Sequence, residues 1–528
     1  MRRLFLAGVA TLALAAGAGG ASAQTFRWAN DGDVNSMDPY ARNETFLLSF
    51  TANIYEPLVR RNRELKVEPA LAESWTQTSP TVWRFNLRRD VRFSDGTPFT
   101  ADDVLFSADR VRGQGSNLLS VLASVKEIRR IDDFTVEFET TQPDPIFLEQ
   151  ITTWTMMSRR WAEANNATRA VDLTTGQENF ATRNAMGTGP FILVSREPDR
   201  RTVLRRNPNW WDRPEHNLTE VQFNVISNDG TRIAALLSGE VDMVYTVPPQ
   251  DTDRLSRAPN IRIHQQAELR TIFLGMDQAR EELLKSDVRG RNPFRDLRVR
   301  RAMAMAIDRE AIRTRIMRNQ ARPTTMMVGP GVNGFIEADD RVQRPDVEGA
   351  RRLMTEAGYP NGFGVTLDCP NDRYVNDEAI CTALVPMLAR IGVRVTLNAQ
   401  TRLRYFAEIL APRYQTSFYM LGWTPTTYDA YNTLYNIMAS RDPGRQRGVF
   451  NSGGWSNPRF DALTDGIAVE TNPARRQEMI TEAMRLHLDE VGHIALHQQT
   501  VVWAARTNIT LQQMADNYFP LRYVRVGQ

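Results

Sequence analysis

The sequence predicts an α/β protein of two or three domains. Between residues 365 and 429, apolar strand-like runs alternate with helix-like stretches, the pattern of a parallel βαβ unit. Elsewhere, short alternating strands bounded by Gly, Pro, Asn and Asp sit among segments of helical periodicity. The length, 528 residues, exceeds what one hydrophobic core organises.

The N-terminus predicts export. Arg2 and Arg3 precede an apolar core over 4–16, and a small-residue stretch ends in Ala21-Ser22-Ala23. This is the charge, apolar core and cleavage-site order of a signal peptide, removed near Ala23 so that the chain starts at Gln24. The alternative is an anchor helix, but the apolar core is too short to span a bilayer. No Cys follows it to carry a lipid, and no later segment reads as a membrane span.

The formal charge is +3, with 65 basic and 62 acidic residues, and loss of Arg2 and Arg3 lowers it by two. Only Lys66, Lys126 and Lys285 are lysines. Without a basic stripe or an acidic tail, nucleic acid is not an expected partner.

Taken in order, Phe26-Arg27-Trp28 predicts a strand and 45–55 a helix. Trp83 to Leu87 alternates as a half-buried strand does. Thr100 and Asp103 suit the first turn of a helix, and Phe134, Val136 and Phe138 predict another strand. After Gly187-Thr188-Gly189-Pro190, runs at 191–194 and 202–204 predict a hairpin. Residues 221–245 read as strand, helix closed by Gly239, and strand. Val299, Ala302, Met303, Ala306 and Ile307 fall at helical spacing, and Asp308 suits the next N-cap. Helices are predicted over 460–469 and 473–490, and a last strand at 500–503.

In the 365–429 region, a strand ends at Cys369-Pro370-Asn371-Asp372-Arg373-Tyr374. A helix follows over 377–391, kinked or restarted at Pro386. A second strand covers 393–397, and a third, 417–421, stops at Gly422-Trp423-Thr424-Pro425-Thr426-Thr427-Tyr428-Asp429. Ligands of open α/β sheets bind beyond the carboxyl ends of strands. The loops carrying Arg373 and Trp423 with Asp429 are therefore the candidate site. The chain has 2 Cys, Cys369 and Cys381, one ending a strand and one in the next helix. Export favours a disulfide over two buried thiols.

The chemistry of catalysis and cofactors is missing from the sequence. Gly329-Pro330-Gly331-Val332-Asn333-Gly334 fits a dinucleotide fingerprint only literally, with a Pro and no preceding buried strand. There is no phosphate-binding loop or nucleophile elbow. His493 and His497 lack the Glu of a zinc-helix motif, and no second Cys pair completes a metal site. No cofactor and no metal is expected.

Five segments stand out together: Leu71-Ala72-Glu73-Ser74-Trp75, Val91-Arg92-Phe93-Ser94-Asp95-Gly96-Thr97-Pro98-Phe99-Thr100-Ala101-Asp102-Asp103-Val104, Gly187-Thr188-Gly189-Pro190-Phe191, Arg206-Asn207-Pro208-Asn209-Trp210-Trp211 and Glu356-Ala357-Gly358-Tyr359-Pro360. In this order they resemble the extracellular solute-binding family 5, the dipeptide, oligopeptide and nickel receptors of ABC importers. The resemblance implies a periplasmic, hinge-closing, two-lobe binding protein of cluster C type with a small extra α+β domain. Lobe I would comprise 24–58, 187–280 and 499–528, the extra domain 59–186, and lobe III 281–498. It implies a monomer that holds a small peptide or peptide-like solute and docks on permease subunits in the inner membrane. The alternatives are a receptor for a non-peptide anion (opine- or sugar-like), an exported hydrolase on this scaffold, or a sensor or chaperone without a permease.

The resemblance also implies site residues. In dipeptide-binding members an Arg after the first lobe III strand takes the ligand carboxylate, and Arg373 stands there. A guanidinium fork suits a carboxylate, and the alternative is a surface Arg. A Gly-Trp-x-x-Asp run follows the third strand in those members, its Asp pairing with the ligand amine. Gly422 and Trp423 match, but Thr426 replaces the Asp. Trp423 is expected as a pocket wall, with Gly422 and Thr424 offering backbone hydrogen bonds. Either Asp429 swings in to meet an amine, or the ligand has no free amine there. Pro425 and its neighbouring threonines stiffen the loop, which favours the second reading. No His lies between His264 and His487, against the nickel branch.

One measurement checks both covalent expectations. Intact mass of the exported protein, denatured without reductant, should correspond to residues 24–528 with two hydrogens missing. Two alkylatable thiols would refute the Cys369–Cys381 bond, and a retained N-terminus would refute cleavage.

Overall fold

Residues 24–173 and 176–527 are described in the computed structural model, so the expected export segment, 1–23, lies outside the described residues. The alternating and apolar runs pair into one 11-stranded sheet. Its strands are β1 (Thr25–Asn30), β2 (Phe191–Glu197), β3 (Arg201–Arg206), β4 (Glu220–Val225), β5 (Met243–Val244), β6 (Ile261–Met276), β7 (Ala321–Pro323), β8 (Phe363–Pro370), β9 (Val393–Gln400), β10 (Phe418–Trp423) and β11 (His493–Arg506). The order is β9-β8-β10-β6-β11-β5-β1-β4-β3-β2, with β7 beside β11. The helices that matter below are α1 (Thr45–Thr51), α2 (Ala101–Arg112), α3 (Asp229–Ser238), α4 (Asp377–Ala389) and α5 (Pro473–Asp489).

One half of the sheet is built by β2 to β4 with β1 and β5. β2 and β3 form the expected hairpin. β4 and β5 both run parallel to β1, with α3 crossing between them. Gly239 ends α3 at φ +83°, a left-handed position that favours glycine. A separate antiparallel sheet, in order Ala72–Ser79, Val82–Leu87, Thr135–Thr140 and Val125–Asp132, packs beside this half with α2. The two share one core, in which Trp28, Phe85, Phe138 and Trp154 are all buried. Asp103 accepts from the Thr100 N–H at 3.0 Å and so fixes the start of α2.

The other half is the expected βαβ unit. β8 runs parallel to β9 and to β10, and α4 connects β8 to β9. α4 is continuous, with Pro386 inside it and no restart. Apolar clusters cover this half, one with α4 against β8 and one with Trp455 and α5.

The two longest strands join the halves. β6 has 16 residues and β11 has 14, and they pair antiparallel along their length. β10 pairs with β6 from Thr271 to Met276, whereas β5 pairs with β11 at Ala504 and Ala505. Between Ala267 and Thr271 the register slips, a bulge at the crossing from one half to the other. The change from one half to the other thus falls within β6 at about 268–270.

His493 and His497 sit in β11, not on a helix. His493 stacks on His487 of α5, with Nδ1 and Nε2 of the two rings 2.9 Å apart. Burial pushes His493 down to about 3 and His497 down to about 4, and His487 well below the usual imidazole range. Folded-state values below the unfolded one, about 6.5, mean that the unfolded chain binds more protons. Their stabilisation is complete above about pH 6.5 and is lost as pH falls. Denaturant midpoints measured from pH 7 to pH 4 should therefore drop more steeply for the wild type than for His493→Gln. Parallel curves would show that this histidine does not titrate on unfolding.

Candidate ligand-binding cleft

The carboxyl ends of β8 and β10 open onto a cavity of about 1190 Å³ between the two halves. That exceeds the roughly 300–1,000 Å³ usual for small-molecule pockets. Eight arginines and four carboxylates line it, and several of the arginines are paired with carboxylates behind the lining, Arg60 with Glu68 and Asp212 and Arg61 with Glu149 among them.

Arg373 lines the cleft on the loop after β8. Its backbone N–H and that of Tyr374 both donate to Asp377 Oδ2 at 2.9 Å, at the start of α4. Burial lifts the Asp377 carboxyl to about 6 against those bonds. Cys369 and Cys381 are disulfide-bonded, tying the end of β8 to α4 on either side of this loop. Few conformations remain to the segment that presents the guanidinium. The Arg373 side chain stacks on Tyr374, 5.1 Å from the ring centroid. Its Nη2 lies 3.4 Å from Glu44 Oε1, the residue that caps α1 from the opposite wall.

Gly422 and Trp423 end β10 and line the cleft. A Cβ on Gly422 would sit 2.7 Å from both Ile272 and the Tyr374 ring, so only glycine allows this approach. Its carbonyl accepts from the Tyr374 hydroxyl at 3.4 Å. Trp423 packs on Phe450 at 4.9 Å and donates from Nε1 to Asn432 at 3.0 Å. The Thr426 hydroxyl accepts from Asn432 Nδ2 at 2.8 Å, and its carbonyl accepts from Arg61 across the cleft at 3.1 Å. Arg61 also lies over the Tyr428 ring at 4.5 Å.

Asp429 is a correction to the sequence reading. It is 6% exposed and does not line the cleft. Arg476 of α5 grips both carboxylate oxygens, and Asn333 Nδ2 donates to Oδ2 at 2.9 Å. The backbone beyond Thr426 turns the residue into the core between Arg476 and Asn333. Releasing it would strand a buried guanidinium.

The sequence reading missed the floor of the cleft. The bulge in β6 carries Glu268 and Arg270, 3% and 4% exposed. They pair at 3.0 Å, and Arg270 Nε donates to the Thr424 hydroxyl at 2.9 Å. Thr424 therefore acts through its side chain here. Gln499 of β11 donates to the other Glu268 oxygen at 3.0 Å. Burial pushes the Glu268 carboxyl up, opposed by Arg270 and Arg373. The one available signal was a charged pair opening the apolar run at 271–276. Among the described residues, no three His, Cys, Asp or Glu side chains group to hold a metal.

The sequence model for bacterial extracellular solute-binding proteins, family 5 (middle region), matches residues 66–444. The chain belongs to this family. Among curated relatives, the glutathione-binding protein GsiB of Shigella flexneri is 24% identical over 490 residues, covering 90% of each chain. Among solved structures, DppA of Helicobacter pylori in complex with the peptide STSA superposes with a TM-score of 0.82 at 22% identity, covering 96% of this chain and 98% of that one. AgaA of A.tumefacien in complex with agropinic acid gives 0.81 at 21% identity, covering 96% and 99%. Members of this family are solute-binding receptors, and the structural likenesses establish the two-lobe periplasmic-binding-protein fold.

The Asp429 correction has a direct test. Asp429→Asn should destabilise the protein by about 3–5 kcal/mol, because it leaves Arg476 buried with half its partner. A shift in the unfolding midpoint with unchanged ligand affinity is the expected pair of results. An altered affinity at full stability would return Asp429 to the cleft.

Proposed function

We propose that this chain captures a peptide-like solute with an anionic end at Arg373 and delivers it, outside the cytoplasm, to the permease of an ABC importer. The observation that carries the reading is Arg373 itself. It is a cleft-lining guanidinium on a disulfide-closed loop, and its one ion-pair partner among the described residues, Glu44, comes from the opposing wall at 3.4 Å. A ligand carboxylate can replace that longer contact with a two-pronged one. Arg373 on one wall then faces Glu44 and Arg61 on the other, with Arg270 on the floor between them, and a bound solute adds contacts to both walls. Binding favours closure only by such differential contact. The β6–β11 bulge supplies the place to bend. The volume, beyond that of a single amino acid, fits a short peptide, and GsiB and DppA bind glutathione and a peptide by name. Trp423, Thr424 and Thr426 form the wall beside the anion, and the chain acts as a monomer.

A second reading, a non-peptide anion, has one observation in its favour. Thr426 carries no charge and its hydroxyl is spent on Asn432, so the β10 loop offers no carboxylate to an amine.

Calorimetry with trialanine, reduced glutathione and agropinic acid, backed by native mass spectrometry of the protein as purified, tests the two. For the peptide reading, trialanine or glutathione should bind. Arg373→Ala should weaken it by about 2–5 kcal/mol, and amidating the trialanine C-terminus should cost the wild type a similar amount. An unchanged Kd in Arg373→Ala would make Arg373 a mere surface residue. Binding of agropinic acid alone would establish the second reading.

A further inference from the structure

Of the four carboxylates lining the cleft, three are engaged by the protein. Glu44 faces Arg373 and accepts from the Leu47 N–H. Glu56 accepts from Trp210 and Trp211 at 3.0 and 2.9 Å and from Thr188 at 2.9 Å. Asp172 also has a partner. The fourth, Asp516, differs. Its Oδ1 accepts from the Tyr518 N–H at 3.1 Å, and among the described residues no cation forms an ion pair with it.

The segment that carries Asp516 is fixed. Ala515 accepts from the Leu269 N–H at 2.9 Å, Gln513 donates to Val501 at 2.9 Å, and Asn517 accepts from the Tyr245 hydroxyl at 3.0 Å. Leu269 lies in the bulge between Glu268 and Arg270, so Asp516 adjoins the hinge at the cleft floor. The surrounding ionisable groups are Arg61, Glu268, Tyr428 and Tyr518. Arg61 is already paired with Glu149 at 2.7 Å. The Tyr428 hydroxyl is buried without a hydrogen-bond partner. Burial pushes the Asp516 carboxyl up, and the Tyr518 N–H and Arg61 oppose it. A carboxylate largely removed from water and without an ion-pair partner gains from a cation that arrives with a ligand.

We propose that Asp516 is the ammonium-binding residue of this cleft, taking the cationic group of a ligand whose carboxylate lies at Arg373. This rests on the peptide-like reading and extends it: the solute carries both charges, and the counter-charge absent at Thr426 comes from the C-terminal segment instead. A solute of that kind spans the cleft from the β8 loop to the hinge.

The test uses calorimetry on the full mature chain with free and N-acetylated forms of trialanine and of glutathione. In the wild type, the free amine should bind at least about tenfold tighter than the acetylated form. In Asp516→Asn the two forms should fall within about threefold of each other. Acetylated peptide should keep its wild-type Kd in the variant, which also shows that the variant is folded. Asp516→Glu should retain part of the preference. No preference in the wild type, or a preference that persists undiminished in Asp516→Asn, would overturn the assignment alone. Failure of both free peptides to bind the wild type would overturn the peptide reading, and this inference with it.

Discussion

The antiparallel pairing of β6 with β11 is the constraint on which the rest of the molecule hangs. It is the part of the sheet common to both halves, with β10 hydrogen-bonded to one end and β5 to the other. Ladder hydrogen bonds keep the halves in one sheet, while the slip between Ala267 and Thr271 interrupts the ladder where they meet. A bulge bends and twists a strand locally and leaves residues without ladder partners. Here those residues are Glu268, Leu269 and Arg270. The interruption that permits bending also turns charged side chains toward the ligand space.

Buried charge serves geometry in this protein more than stability. Asp38 with Arg110, Asp33 with Arg196, and Asp429 with Arg476 are paired ions almost wholly removed from water. Such pairs roughly cancel their desolvation cost, but breaking one is expensive, so they lock a single arrangement. The cleft shows the contrasting case. Arg373 is held at 3.4 Å from Glu44, and among the described residues Asp516 forms no ion pair. Charge that is fully matched builds the frame; charge that is loosely matched lines the cleft.

Much of the frame was legible in the chain. The hairpin at β2–β3, the β4–α3–β5 crossover and the β8–α4–β9 unit each follow from periodicity and punctuation by Gly, Pro and Asn. Arg373, Gly422, Trp423, Thr424 and Thr426 were named from strand ends together with the family resemblance, and all five line one cavity. β6 was not legible. Arg262, His264, Gln265 and Gln266 break its apolar pattern, because the first half of the strand is largely exposed or half-buried whereas the second half is buried throughout. Asp429 misled for a related reason. A polar residue following a strand end reads as exposed, and only the position of Arg476, 47 residues later, draws it inward.

The sequence by itself determined the local elements, the likeness to family 5, and the placing of Arg373 on a loop at a strand end. These depend on short-range periodicity and residue chemistry, which a linear chain states directly. Only the tertiary structure decided which charges are spent and which are free. It pairs Asp429 with Arg476, sets Glu44 against Arg373 across the cleft, and brings Asp516 from the C-terminal segment to the bulge in β6. Electrostatic interaction depends on separation in space and on burial, and neither can be read from positions separated by hundreds of residues.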